Sequence, residues 1–213
     1  MKTALLAGAS GLVGSALLPM LLAHPEYERV ISLGRKTLDI HHPKLTQIIV
    51  DFNDLSSFSI PCHHVYCCLG TTIRVAGSKE KFFAVDHDYP LNLAKAALRT
   101  GAECCTIITA VGAKADSSVF YSSVKGKVEQ ELMKLGFRTV NILRPSMLLG
   151  NRQESRPAEW ISKHLMTIIA PIIPRSYRAV RDVEVAASMI THTLHNPGGI
   201  RVVENAEILG SEV

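Results

Sequence analysis

Two rhythms of apolar and polar positions alternate along the chain. Nearly continuous apolar runs at Thr3–Ala7, Val30–Leu33, Leu45–Val50, Val65–Cys68, Cys105–Thr109 and Val140–Leu143 predict strands. Between them, apolar residues recur three and four apart and predict helices over Gly11–Leu22, Tyr89–Thr100 and Phe120–Leu135. Strands that are apolar throughout need cover on both faces, and strand–helix alternation supplies it, so the pattern predicts an α/β, doubly wound parallel sheet. Past Leu143 the pattern loosens into a polar loop (Asn151–Arg156), a helix-like run (Trp160–Ile169) and a Pro-punctuated segment to Pro174. A helix over Arg181–His192 and a strand over Arg201–Val203 follow. At 213 residues the chain suits one domain, 1–213, in which residues of about 146–180 form a small C-terminal substrate lobe. Its most apolar stretch, Leu165–Ile173, is too short to span a bilayer and reads as core or pocket wall.

The first strand runs into Gly8-Ala9-Ser10-Gly11-Leu12-Val13-Gly14 and then into a helix. A strand, a glycine-rich turn and a helix in that order aim helix N–H groups at an anion, usually a dinucleotide pyrophosphate. One glycine makes the turn, one lets phosphate approach the backbone, and one lets helix and strand pack closely. Read instead as a secretory signal or a membrane span, the same stretch is poor, because three glycines and a proline interrupt it.

The second strand ends at Leu33-Gly34, where an acidic residue would bind the 2′-hydroxyl of NAD; Arg35 and Lys36 stand there instead. A guanidinium matches a 2′-phosphate in two-pronged fashion, so NADP(H) is the expected cofactor. Asp51, after the third strand, is positioned either to reach the adenine amino group or to cap the next turn. The fourth strand leads into Leu69-Gly70-Thr71, at the strand ends where such sheets bind ligands.

Tyr121 and Lys125 stand four apart on one helix, a step round from the apolar stripe Phe120, Val124, Val128 and Leu132. That leaves their face to line a cavity. A phenol beside an ammonium is a proton relay for a carbonyl or alcohol oxygen. Thr109, ending the fifth strand, has a hydroxyl that either orients such a carbonyl or simply finishes the strand. Gly126 weakens its helix by about 1 kcal/mol relative to alanine, which implies a close backbone neighbour.

A net charge of +4 with scattered basic residues does not indicate nucleic-acid binding. The five cysteines include two adjacent pairs and no C-x-x-C, which points to reduced, buried thiols, no metal site and a cytoplasmic protein. The adjacent pairs His41-His42 and His63-His64 read as surface histidines. No protein partner is indicated.

In order, Gly8–Gly14, Leu33–Lys36, Val50–Phe52, Cys67–Thr72, Tyr121-x-x-x-Lys125-Gly126, Arg144-Pro145 and Asn151–Pro157 resemble an atypical short-chain dehydrogenase/reductase. The branch is that of the Tat-interactive-protein oxidoreductases and their bacterial relatives. The resemblance implies a Rossmann-type sheet binding NADPH, with Pro145–Met147 backbone at the nicotinamide, Lys125 on its ribose and Tyr121 as proton donor. The family commonly has paired serines after the fifth strand; this chain has Thr109 and Ala110. Two functions follow as expectations: NADPH-dependent reduction of a small-molecule carbonyl substrate, or an NADP(H)-binding regulator with little turnover. Nucleotide-sugar epimerisation is disfavoured by the short lobe.

Overall fold

In the computed structural model, residues 1–150 and 174–209 are described. β1 (Lys2–Ala7) leads into α1 (Leu12–Ala23), β2 (Tyr27–Gly34), β3 (Leu45–Ile49) and β4 (His64–Cys67). Two short helices follow, α2 (Ile73–Ala76) and α3 (Lys79–Phe83), then a π-helical turn (Ala84–Asp88) continuous with α4 (Tyr89–Arg99). β5 (Cys104–Ile108), α5 (Phe120–Met133), β6 (Thr139–Arg144) and a short β7 (Leu148–Leu149) come next. After a 3₁₀ turn (Arg175–Tyr177), the chain continues as β8 (Val180–Arg181), α6 (Asp182–His195), β9 (Gly199–Glu204) and α7 (Asn205–Ile208). All seven expected strands are present, with ends shifted by up to a few residues, as fraying ends usually are. The expectations for Asn151–Arg156, Trp160–Ile169 and Leu165–Ile173 lie outside the described residues.

Seven strands form one parallel sheet in the order β3-β2-β1-β4-β5-β6-β9, and β7 pairs with β8 separately. The fold is the Rossmann-like doubly wound sheet. The chain builds outward from β1 to β3, then crosses back so that β4 pairs with the other side of β1. Ala7 therefore has Leu33 on one side and Cys67 on the other, and the crevice between diverging loops opens just past this point.

Alternate residues of each strand enter opposite cores. Leu5, Ile31, Val65, Ile107 and Ile142 pack under α4 and α5 with Phe52 and Phe58. Leu6, Val30, Tyr66 and Leu143 pack under α1 and α6 with Leu17, Leu21 and Met189. At the far end of the sheet from the crevice, the buried Tyr27 hydroxyl lies 2.8 Å from His64 Nδ1 and 2.6 Å from the Tyr66 hydroxyl.

The apolar spacing marks the helix start at Tyr89, with Pro90 in its first turn, and carries no sign of the π-helical turn before it. The helix instead runs through the proline. Pro90 has no N–H to return to the carbonyl of Asp86, and the wider turn lies directly before it, where that ladder is already broken.

Asn205, fully buried, joins two distant segments. Its Oδ1 accepts from the Ser146 amide at 2.8 Å, while its Nδ2 donates to the carbonyls of Arg175 and Arg178 at 2.9 and 2.8 Å. The Val180 amide donates to the Met147 carbonyl alongside. Among the described residues no helix is long and apolar enough to cross a membrane.

Candidate active site

The glycine-rich turn has the geometry its spacing implies. Gly8 adopts φ +88°, and a Cβ there would lie 2.5 Å from the Cys68 carbonyl oxygen, so a side chain is excluded twice over. The Gly11 amide donates to the Gly8 carbonyl at 2.9 Å and closes the turn. A Cβ on Gly14 would meet that same carbonyl oxygen at 2.1 Å, so this glycine sets how closely α1 approaches β1. α1 starts with neither a side-chain cap nor an acidic residue in its first turn, which leaves its positive end to an anionic ligand.

From this turn a crevice of about 670 Å³ extends over the carboxyl ends of β1, β2 and β4. Residues 8–11, 32–38 and 68–70 line it, with Phe52, Val85 and Tyr89. Gly8, Ser10, Gly11, Arg35, Lys36, Leu69 and Gly70 thus share one cavity. Arg35 and Lys36 are exposed at the end away from Leu69 and Gly70, free to meet a charged group. The glycine cradle, the uncapped helix and the basic rim fit a nicotinamide dinucleotide.

Other expected cofactor residues lie outside the lining. Val13 and Gly14 are buried behind the turn, and Leu12 is half-buried at the start of α1. Asp51 does not reach the crevice: its Oδ1 accepts from the backbone and side-chain amides of Asn53, at 2.9 and 2.7 Å. It caps its turn, and the neighbouring Phe52 enters the crevice instead, stacked on Tyr89 at 5.8 Å between ring centroids. The Thr71 amide donates to Asp86 Oδ2 at 2.9 Å. Pro145 gives its carbonyl to the Val111 amide, and Met147 exposes its side chain beside it.

The face of α5 bearing Tyr121 and Lys125 is only partly the open cavity wall its spacing implies: α3 packs on one side of the half-buried Tyr121, and the π-helical turn covers Lys125. The Tyr121 ring packs against Phe82 with centroids 5.6 Å apart. Lys125 is buried, and its Nζ lies 2.8 Å from Asp86 Oδ1. The ammonium expected to act on the phenol is therefore paired with a carboxylate. Burial pushes the Asp86 carboxyl up from the ordinary range, opposed by Lys125 and the Thr71 amide. A Cβ on Gly70 would lie 3.3 Å from Asp86 Oδ1 and 3.5 Å from Lys125 Nζ, so the pair lies directly beneath the crevice floor.

Thr109 is corrected more sharply. Its hydroxyl donates to Glu129 Oε1 at 2.6 Å, with the Leu143 carbonyl 3.3 Å away, and it is buried. Glu129 also receives both prongs of Arg144, at 3.0 and 2.6 Å, and Arg144 reaches Glu204 at 3.0 Å. A hydroxyl has one proton, and this one is committed to a carboxylate. The loop after β5 then crosses Gly126, where a Cβ would meet the Ala115 amide nitrogen at 2.2 Å; this is the close neighbour that glycine implied.

Sequence reasoning missed Asp86, Phe52 as a crevice residue, Val85 and Tyr89. The available signal for Asp86 was one acid following the apolar run Phe82–Val85.

Fold and crevice together define a dinucleotide-binding protein of the short-chain dehydrogenase/reductase type. The chain belongs to the NAD dependent epimerase/dehydratase family, whose model matches residues 4–171. It is similar to Protein HTATIP2 of Rattus norvegicus, 35% identical over 216 residues covering 98% of this chain and 88% of that protein. It is also similar to "Protein fmp52, mitochondrial" of Aspergillus fumigatus, 36% identical over 191 residues, 85% of this chain and 80% of the relative. A solved short-chain dehydrogenase/reductase-family oxidoreductase from Burkholderia thailandensis shares the fold at TM-score 0.73 and 18% identity, covering 99% of this chain and 94% of its own. Family membership supports an oxidoreductase-type function with a nicotinamide dinucleotide cofactor. The expectation of a cytoplasmic protein does not stand: fungal relatives at 29–36% identity are named mitochondrial. The cysteine pattern misled because buried thiols without a bonding partner do not record their compartment. Four of the five are buried, and burial pushes Cys62 and Cys104 up to about 11 and Cys67 to about 12.

Proposed function

We propose that the protein is an NADPH-dependent oxidoreductase that reduces a small carbonyl compound, with residues of about 146–180 contributing the substrate lobe. The observation behind this reading is the shared crevice, with a glycine cradle between Arg35 and Lys36 on the rim at one side and Gly70, under which Lys125 lies, at the other. When bound, the nicotinamide supplies the hydride. Arg35 and Lys36 bind the 2′-phosphate, the amides at the start of α1 bind the diphosphate, and Lys125 holds the ribose through the gap that Gly70 leaves. Tyr121 donates the proton to the carbonyl oxygen as the carbon is reduced.

A second reading, a nucleotide-responsive regulator with little turnover, is favoured by one observation. The Thr109 hydroxyl is engaged by Glu129, and position 110 is alanine, so no hydroxyl from the β5 end supports the carbonyl. NADPH oxidation against a panel of aldehydes and ketones decides between the two. Turnover by the wild type that falls about a hundredfold or more in Tyr121→Phe supports reduction. Equal background rates beside tight NADPH binding would leave the regulator.

A further inference from the structure

Lys125 cannot be understood without the residue facing it. Its ammonium is buried, and the only carboxylate at ion-pair distance among the described residues is that of Asp86, itself 1% exposed. Asp86 comes from the π-helical turn, a motif that re-aims side chains and recurs at functional sites. Asp86 and His87, consecutive in this turn, are both buried and both reach α5, Asp86 at Lys125 and His87 at Glu131, where its Nε2 lies 3.1 Å from Oε1. The second Asp86 oxygen accepts from Thr71, so one carboxylate ties Lys125 to the loop that carries Leu69 and Gly70 into the crevice.

We propose that Asp86 is the positioning residue of this site: it fixes the Lys125 ammonium beneath Gly70, and Lys125 acts on bound nucleotide through that pairing. The proposal rests on the reading of Lys125 as a nucleotide-holding residue. Two consequences separate it from a merely structural role. First, without Asp86 a buried lysine loses its counter-ion and deprotonates more readily. The titratable groups near the pair are the Cys67 thiol from β4, the Tyr121 phenol one turn back on α5, Glu129 one turn on and already held by Thr109 and Arg144, and His87, which adjoins Asp86 but bonds to Asp88 and Glu131. Burial already holds Cys67 up to about 12, so it does not titrate in a neutral-to-alkaline scan. Second, Asp86 must be without effect on nucleotide binding once Lys125 is gone.

The test measures NADPH affinity by fluorescence from pH 6 to 9 in wild type, Asp86→Asn, Lys125→Met and the double variant. Asparagine keeps an acceptor for Thr71 while removing the charge. Asp86→Asn is expected to weaken binding about tenfold or more at the alkaline end and to bring that loss to lower pH. The double variant is expected to bind like Lys125→Met alone. Wild-type affinity with an unchanged pH profile in Asp86→Asn overturns the proposal, as does an added loss in the double variant. If Asp86→Asn fails to fold, folding of the double variant supports the pairing, because removing the stranded charge restores the protein; failure of both overturns it. Because binding is the readout, tight NADPH binding without carbonyl turnover defeats the oxidoreductase reading and leaves this test intact, whereas a wild type that binds no nucleotide overturns both.

Discussion

The Thr109 hydroxyl donates to the Glu129 carboxylate at 2.6 Å and so joins β5 to α5 at the same point where Arg144 joins β6. Replacing Thr109 by valine keeps the shape and removes one bond to a buried charge. A stability loss of about 1–3 kcal/mol is expected in urea unfolding. Turnover should change less than about threefold, where loss of a carbonyl-polarising donor would cost about a hundredfold. A large kcat effect at unchanged stability would return Thr109 to the chemistry.

Arg35 and Lys36 are exposed on the crevice rim, so their neutralisation should not affect folding. Arg35→Ser with Lys36→Ser is expected to weaken NADPH binding about ten- to a hundredfold, the worth of one or two charge-assisted hydrogen bonds. NADH binding should move by less than about threefold. Equal losses for both nucleotides would show that the 2′-phosphate is not what these residues hold.

Gly126→Ala tests the packing of the loop after β5. The added methyl would overlap the Ala115 amide nitrogen and the Lys114 backbone, neither of which can swing aside as a side chain would. A destabilisation of about 1–3 kcal/mol or more is expected, well beyond the small gain in helix propensity. A neutral or higher melting temperature would refute the close approach.

His64 makes the stability pH-dependent. Burial holds its imidazole down to about 4, while the unfolded chain titrates near the ordinary 6.5. Between those values the unfolded state binds the extra proton, so the contribution is whole above about pH 6.5 and is lost progressively down to about pH 4. The shift corresponds to at most about 3 kcal/mol. His64→Gln, measured by thermal unfolding from pH 8 to 4, should flatten that decline. An unchanged slope would assign the acid sensitivity elsewhere.

Much of this architecture was legible because it repeats a short-range signal. Leu5, Ile31, Val65, Ile107 and Ile142 sit in apolar runs whose length and flanks read as strands, and Gly8 and Gly14 mark a strand–turn–helix whose close backbone approaches only glycine allows. What escaped was decided by tertiary neighbours. The sequence shows Tyr121 and Lys125 on one helical face but not that α3 and the π-helical turn lie against it, so Asp86 stayed hidden. Asp51 and Phe52 are adjacent, and only the turn closed by Asn53 decides that the ring, not the carboxylate, enters the crevice. Thr109 looked available because Glu129 lies twenty positions away.

Asn205 acts as a clasp at the base of the segment that leaves at Ser146 and returns by Arg178. Exit and return share one buried anchor, so loss of that single amide would release both segments together, and their spacing is dictated by α7, further along the sequence.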